Sequence, residues 1–139
     1  MTRKLGYKGY VSSAKINGSQ IPQSLQNLKI RDFANLNNIN FELSITEYNF
    51  KKKNYALGSL KKLEKNLKGI IFFSIYQLPK NKIERMNFFK FFIKKNKIIY
   101  FAMEDIKLSK VEQIKEIEII FFISKNSNKK LKTLKKLKI

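Results

Sequence analysis

Glu47, Gln77 and Glu104 are the residues of this sequence best suited to move a proton or hold a substrate hydroxyl. Each stands just after a strand-like apolar run, and the two carboxylates are candidates for a general base. They are read as the catalytic candidates. Ser12, Ser13, Asn17, Ser19, Tyr48 and Tyr76 cluster beside them in the reading and are the ligand-binding candidates. Hydroxyls, amides and backbone N–H groups near a helix start hold phosphates well. Arg31, inside the first helix, reaches a phosphate or forms a surface ion pair. A plainer role stands open for each. Ser12 and Ser13 shape a turn, Asn17-Gly18 is a common turn dipeptide, Glu47 pairs with a lysine, and Gln77 satisfies nearby backbone.

The chain has neither histidine nor cysteine. That removes the commonest general base, the usual metal ligands, thiolate chemistry and disulfides. No Gly-rich dinucleotide loop, P-loop, nucleophile elbow or metal-ligand spacing is present. No cofactor and no metal are expected.

The elements that must carry these residues alternate. Leu5 to Ser12 reads as a first strand, followed by a turn-rich segment and a helix opened by Pro22. Leu25, Leu28, Ile30, Phe33, Ala34 and Leu36 are its expected apolar face. Asn40 to Ile45 reads as a second strand. A second helix is expected over Tyr55 to Leu67, with Leu57, Leu60, Leu63 and Leu67 on one face and Gly69 ending it. Ile70 to Tyr76 is wholly apolar, as a central parallel strand should be. A third helix runs to about Lys94 on Ile83, Met86, Phe89, Phe92 and Ile93, and Ile98 to Met103 is a fourth strand. Beyond Ser109 the pattern suits a helix better than a fifth strand over Glu116 to Ile123, though both stay open.

Strand-helix alternation predicts an α/β fold: a small open parallel sheet of four or five strands with helices on both faces, flavodoxin-like in arrangement. In such sheets ligands bind beyond the carboxyl ends of the strands. All the candidates except Arg31 follow those ends. Residues 1–124 are expected to form a single domain and 125–139 a lysine-rich tail. In the tail Leu131, Leu134 and Leu137 recur among lysines, either as a basic amphipathic helix or as a solvated extension.

The 139 residues carry a formal net charge of +20, with 43% hydrophobic and 13% aromatic residues. This composition supports a core and argues against disorder. The apolar runs are too short to span a membrane, and no apolar stretch follows the basic start, so a cytoplasmic location is expected. The charge has two readings. It points to an anionic partner such as nucleic acid or an anionic surface, or it reflects AT-rich coding, which favours Lys, Asn, Ile and Phe.

The segment Gly9-Tyr10-Val11-Ser12-Ser13-Ala14-Lys15-Ile16-Asn17-Gly18-Ser19-Gln20-Ile21-Pro22-Gln23 resembles the opening of the sporadic carbohydrate cluster proteins. Ser44-Ile45-Thr46-Glu47-Tyr48, Ser74-Ile75-Tyr76-Gln77-Leu78-Pro79 and Phe101-Ala102-Met103-Glu104 resemble that family's later blocks. The resemblance covers roughly residues 5 to 110. It implies a small bacterial protein of surface-polysaccharide (lipopolysaccharide, capsule or O-antigen) synthesis, with a sugar or nucleotide-sugar ligand.

A more distant resemblance is to the catalytic domain of serine recombinases. Their opening strand carries Tyr-x-Arg-x-Ser, and a later one Asp-Arg-Leu-Ser-Arg. Here the first reads Tyr10-Val11-Ser12-Ser13-Ala14, so Ser12 takes the arginine's place and Ala14 the nucleophile's; a one-residue slip would bring Ser13 there. The second reads Tyr76-Gln77-Leu78-Pro79-Lys80, with Gln77 for the first arginine and Lys80 for the second. The resemblance implies a resolvase-like fold without strand exchange, because those arginines stabilise phosphoryl-transfer charge.

Three functions compete: action on or binding of a sugar or nucleotide-sugar; a catalytically inactive nucleic-acid-binding module; and a scaffold subunit for carbohydrate enzymes. A homo-oligomer is compatible with each.

Overall fold

Strand β1 (Gly6–Ser12) lacks the polar alternation of a surface strand, because it is buried on both faces. It lies between β2 (Phe41–Glu47) and β3 (Leu67–Phe72), parallel to both. Strand β4 (Ile98–Phe101) continues the parallel set, and β5 (Ile106–Leu108) closes the edge antiparallel to β4. The order is β2-β1-β3-β4-β5. These strands belong to a computed structural model that describes residues 5–48 and 55–123.

Helix α1 (Gln23–Leu36) covers one face, helices α2 (Tyr55–Lys62) and α3 (Lys82–Lys94) the other, joined there by α4 (residues 114–123). Two cores result. Under α1, Val11 and Ile71 meet Ile30, Phe33 and Ala34. On the opposite face Tyr10, Phe72 and Phe101, neighbours in register on β1, β3 and β4, form an aromatic ladder with centroids 4.8 and 5.4 Å apart. Leu57 and Leu60 of α2, Phe88, Phe89 and Phe92 of α3, and Ile114 and Ile117 cover that ladder. The apolar surface they remove from water is the main force holding the layers together.

Several sequence expectations shift. The second helix stops at Lys62, a 3-10 turn (Glu64–Asn66) follows, and Leu67 already belongs to β3. Gly69 is therefore no helix stop. It lies within β3, where an added Cβ would strike the Ile98 carbonyl oxygen and the Tyr7 ring. Its lack of a side chain lets β3 and β4 approach. The fifth strand is Ile106–Leu108, a short antiparallel return after a turn in which Asp105 has φ 54°. Residues 116–123 are helical, as the pattern favoured.

The faces of α1 and α3 also differ from expectation. Gln26, Ile30, Phe33 and Ala34 are the buried residues of α1, whereas Leu25, Leu28 and Leu36 are exposed. In α3, Arg85, Phe88, Phe89, Phe92 and Ile93 are buried and Ile83 is exposed. A polar residue stands at a core position in each helix, and counting only apolar residues rotates the face. Residues 49–54 and the basic tail lie outside the described residues. Among those described, no helix is long and apolar enough to cross a membrane.

Candidate functional site

From β1 the chain passes to one side, to β2, and then crosses to the other, to β3. A crevice is expected where these directions diverge, beyond the carboxyl ends of β1 and β3. Ser12 ends β1, and Ser74 with the 3-10 turn Ile75–Gln77 follows β3. Side-chain amides occupy the space between them.

Gln26 of α1 is fully buried. Its Nε2 donates to the carbonyls of Ser12 (2.8 Å) and Ile21 (2.9 Å). Its Oε1 accepts from Ser12 N (2.9 Å) and from Gln77 Nε2 (3.0 Å). A primary amide has two N–H donors and two acceptor lone pairs, so Gln26 is saturated. Gln77 Nε2 gives its other hydrogen to Ser12 Oγ at 3.2 Å, and Gln77 Oε1 accepts from Ser74 N at 3.1 Å. Ser74 Oγ accepts from Tyr76 N, completing a capping box on the 3-10 turn.

Glu104, just past β4, completes this network. Its Oε2 accepts from Ser74 Oγ and its Oε1 from Ile75 N, both at 2.8 Å. The carboxylate thereby anchors the start of the turn that carries Gln77.

Glu47 belongs to a separate arrangement. Its Oε1 accepts from the Tyr10 hydroxyl at 3.2 Å, and its Oε2 from Ala56 N at 2.9 Å. A carboxylate placed against the first N–H groups of α2 satisfies a donor and complements the helix dipole. Tyr10 ionises far less readily than a free tyrosine: burial comes first, then the Glu47 charge, then the hydrogen bond to it. Ser13 leans on the same strand end, donating its backbone N–H to the Glu47 carbonyl at 2.9 Å.

The remaining candidates spread out. Asn17 (φ 49°) and Gly18 (φ 84°) form the tip of a tight turn closed by the Ile16–Ser19 bridge, with Ser19 exposed. Tyr48 is exposed after β2. Tyr76 is half-buried, its ring 6.1 Å from that of Phe121 on α4. Arg31 lies about 7.5 Å further along α1 than Gln26, exposed and away from the strand ends. Ser12, Gln77 and Glu104 therefore share one network, Ser13 and Glu47 meet beside it, and Asn17, Ser19, Arg31 and Tyr48 are not part of either.

Gln26, Ser74 and Tyr10 are the residues sequence reasoning missed. Ser74 and Gln77 had a signal, the Ser-x-x-Gln spacing of a capping box. Gln26 had a weaker one, a polar residue four before Ile30 on a buried face. Arg85 was missed too. Its guanidinium donates to Glu118 (3.1 and 2.7 Å) and to the carbonyls of Pro79 (3.0 Å) and Lys80 (2.8 Å). It lies 4.4 Å from the Phe121 ring. It fastens α4 and the Pro79–Lys80 loop to α3.

Chemically, the ends of β1 and β3 are tied together by an amide network. Ser12 and Gln77, the positions where the recombinase resemblance places arginines, are bonded to each other. Among the described residues no three His, Cys, Asp or Glu side chains gather as a metal site.

Comparison with known proteins agrees on the fold. No family model matches the sequence, and no curated protein matches it. The N-terminal catalytic domain of TP901-1 integrase superimposes with a TM-score of 0.63 at 13% identity, covering 88% of this chain and 97% of that one. A resolvase family site-specific recombinase from Streptococcus pneumoniae gives 0.59 at 13% identity, covering 94% and 95%. The chain has a resolvase-like α/β fold.

Proposed function

We propose that this chain is a resolvase-fold module without strand-exchange chemistry that associates with nucleic-acid backbone through its lysines. The Gln26–Gln77 amide pair carries the reading. All four N–H hydrogens of the two amides are spent on Ser12, Ile21 and Gln26, and none of these bonds involves a cation. Phosphoryl transfer needs preorganised positive charge around the reacting phosphate. The structural neighbours are named as an integrase and a site-specific recombinase, and the net charge of +20 suits a polyanion.

The test is duplex binding against salt. Each neutralised phosphate steepens the log–log salt dependence by about 0.9. Binding that persists at about 0.15 M salt, with no cleavage or joining of the duplex, supports the module. Binding that disappears well below that salt overturns it, because the lysines then act only as a diffuse charge.

The carbohydrate reading rests on the sequence blocks and on hydroxyl and amide groups at the rim. Ser13, Asn17, Ser19 and Tyr48 would contact the sugar or nucleotide-sugar, and Glu47, Gln77 and Glu104 would act on it. The internal bonds of those three weigh against this reading. A nucleotide-sugar that raises the melting temperature in high salt, with the effect lost in Glu47→Gln, would favour it over the nucleic-acid module.

A further inference from the structure

Helix α1 carries a second apolar stripe turned away from the sheet. Leu25, Leu28 and Leu36 are 54%, 62% and 76% exposed. At about 100° per residue these leucines, with Lys29 and Asp32, fall within an arc of about 100°. Gln26, Ile30, Phe33 and Ala34 point to the opposite side, into the core. Asp32 is the only acidic residue of this 14-residue helix. Scattered exposed leucines are ordinary, but a stripe along one helix marks a contact surface.

We infer that α1 pairs with α1 of a second copy of this chain, antiparallel about a twofold axis. The stripe is self-complementary in that arrangement. The register that sets Leu25 against Leu36 of the second copy also sets Lys29 against Asp32, and twofold symmetry repeats both contacts. Leu28 lies near the axis between them. Charge complementarity selects this occupant over an unrelated helix: the chain is strongly basic, and a second copy supplies the acidic partner for Lys29 in register. The 14-residue helix spans about 21 Å. One helix pair of that length stays below the roughly 1,200 Å² of a stable interface, so the dimer is weak and concentration-dependent.

Sedimentation of the full chain between about 10 µM and 1 mM, at about 0.3 M salt to screen the repulsion between basic chains, tests this. The wild type is expected to pass from monomer to dimer. Leu28→Glu should abolish dimerisation. Lys29→Glu and Asp32→Lys should each weaken it about tenfold or more, and the double exchange should restore it to within about threefold. Phe122→Glu, exposed on α4, should leave it unchanged. All four substitutions alter residues outside the core, and an unchanged thermal melt confirms folding. A chain that stays monomeric throughout, a dimer that survives Leu28→Glu, a dimer broken by Phe122→Glu, or a double exchange that fails to restore association would each overturn the pairing.

Discussion

Replacing Gln26 with methionine tests whether the amide network is the structural hub of the strand ends. Methionine has nearly the same length and fits the same space, so the change isolates the hydrogen bonds. It deprives Ser12 N, the Ser12 and Ile21 carbonyls and a Gln77 N–H of their partner. Ile21 and Gln77 are half-buried and can recruit water; Ser12, 6% exposed, has little access to it. Two stranded groups at about 1–3 kcal/mol each, less about 1 kcal/mol gained by burying a thioether, give a net loss of about 1–5 kcal/mol. For a chain of this size that is roughly 3–5 °C per kcal/mol, or about 3–25 °C in melting temperature. Thermal and urea unfolding followed by circular dichroism measures it. Gln77→Met should be strongly non-additive with Gln26→Met, because the two amides share a bond. A loss below about 1 kcal/mol would refute the hub. A gain in stability would mean that the buried amide is kept at a cost, as functional sites are.

Three further outcomes follow from the geometry. Glu118→Gln should cost about 2 kcal/mol by weakening the paired bonds to the buried Arg85, and Arg85→Met should cost stability even in that background, because the Pro79 and Lys80 carbonyls lose their donor; a double-mutant cycle measures the Arg85–Glu118 coupling. Gly69→Ala forces a methyl against the Ile98 backbone and should lower the yield of folded protein far more than Gly58→Ala, where nothing lies within 4 Å of the added methyl. Stability should fall at both pH extremes. Burial raises the Glu64 carboxyl, but hydrogen bonds and charges from Lys95 and Lys97, both at 3.3 Å, more than reverse this and hold it below its usual value. That contribution is present above about pH 4.3, the unfolded value, and is lost as the pH falls; urea midpoints from pH 6 downward should show it, and Lys97→Met should reduce it. Tyr7, raised to about 12 by burial and by Tyr100, contributes stability that is full below about pH 10 and is lost as the pH rises toward 12.

Much of the fold is legible along the chain. The apolar run at Ile70 locates the central strand, Pro22 opens α1, and strand-helix alternation implies the parallel sheet. The candidate site was legible only as a location. Ser12, Gln77 and Glu104 were identified because they follow strands, and they do meet in one network. Their bonding was not legible, because it depends on Gln26 arriving from α1 and on Ser74 turning back onto Gln77. The helix faces went astray at Gln26 and Arg85 for one reason: a buried polar residue looks like surface until its partners are known.

Composition already excludes thiolate, histidine and disulfide chemistry, and the periodicities largely specify which segments become strands and helices, since these are local properties of backbone and side chain. The roles of the polar residues were settled by distance. Glu47 meets Ala56 nine residues on, Gln77 meets Ser12 across 65, and Arg85 meets Glu118 across 33. Such pairings follow from how sheet and helices stack. They decide whether a carboxylate or an amide is left free for a ligand or is held by the fold.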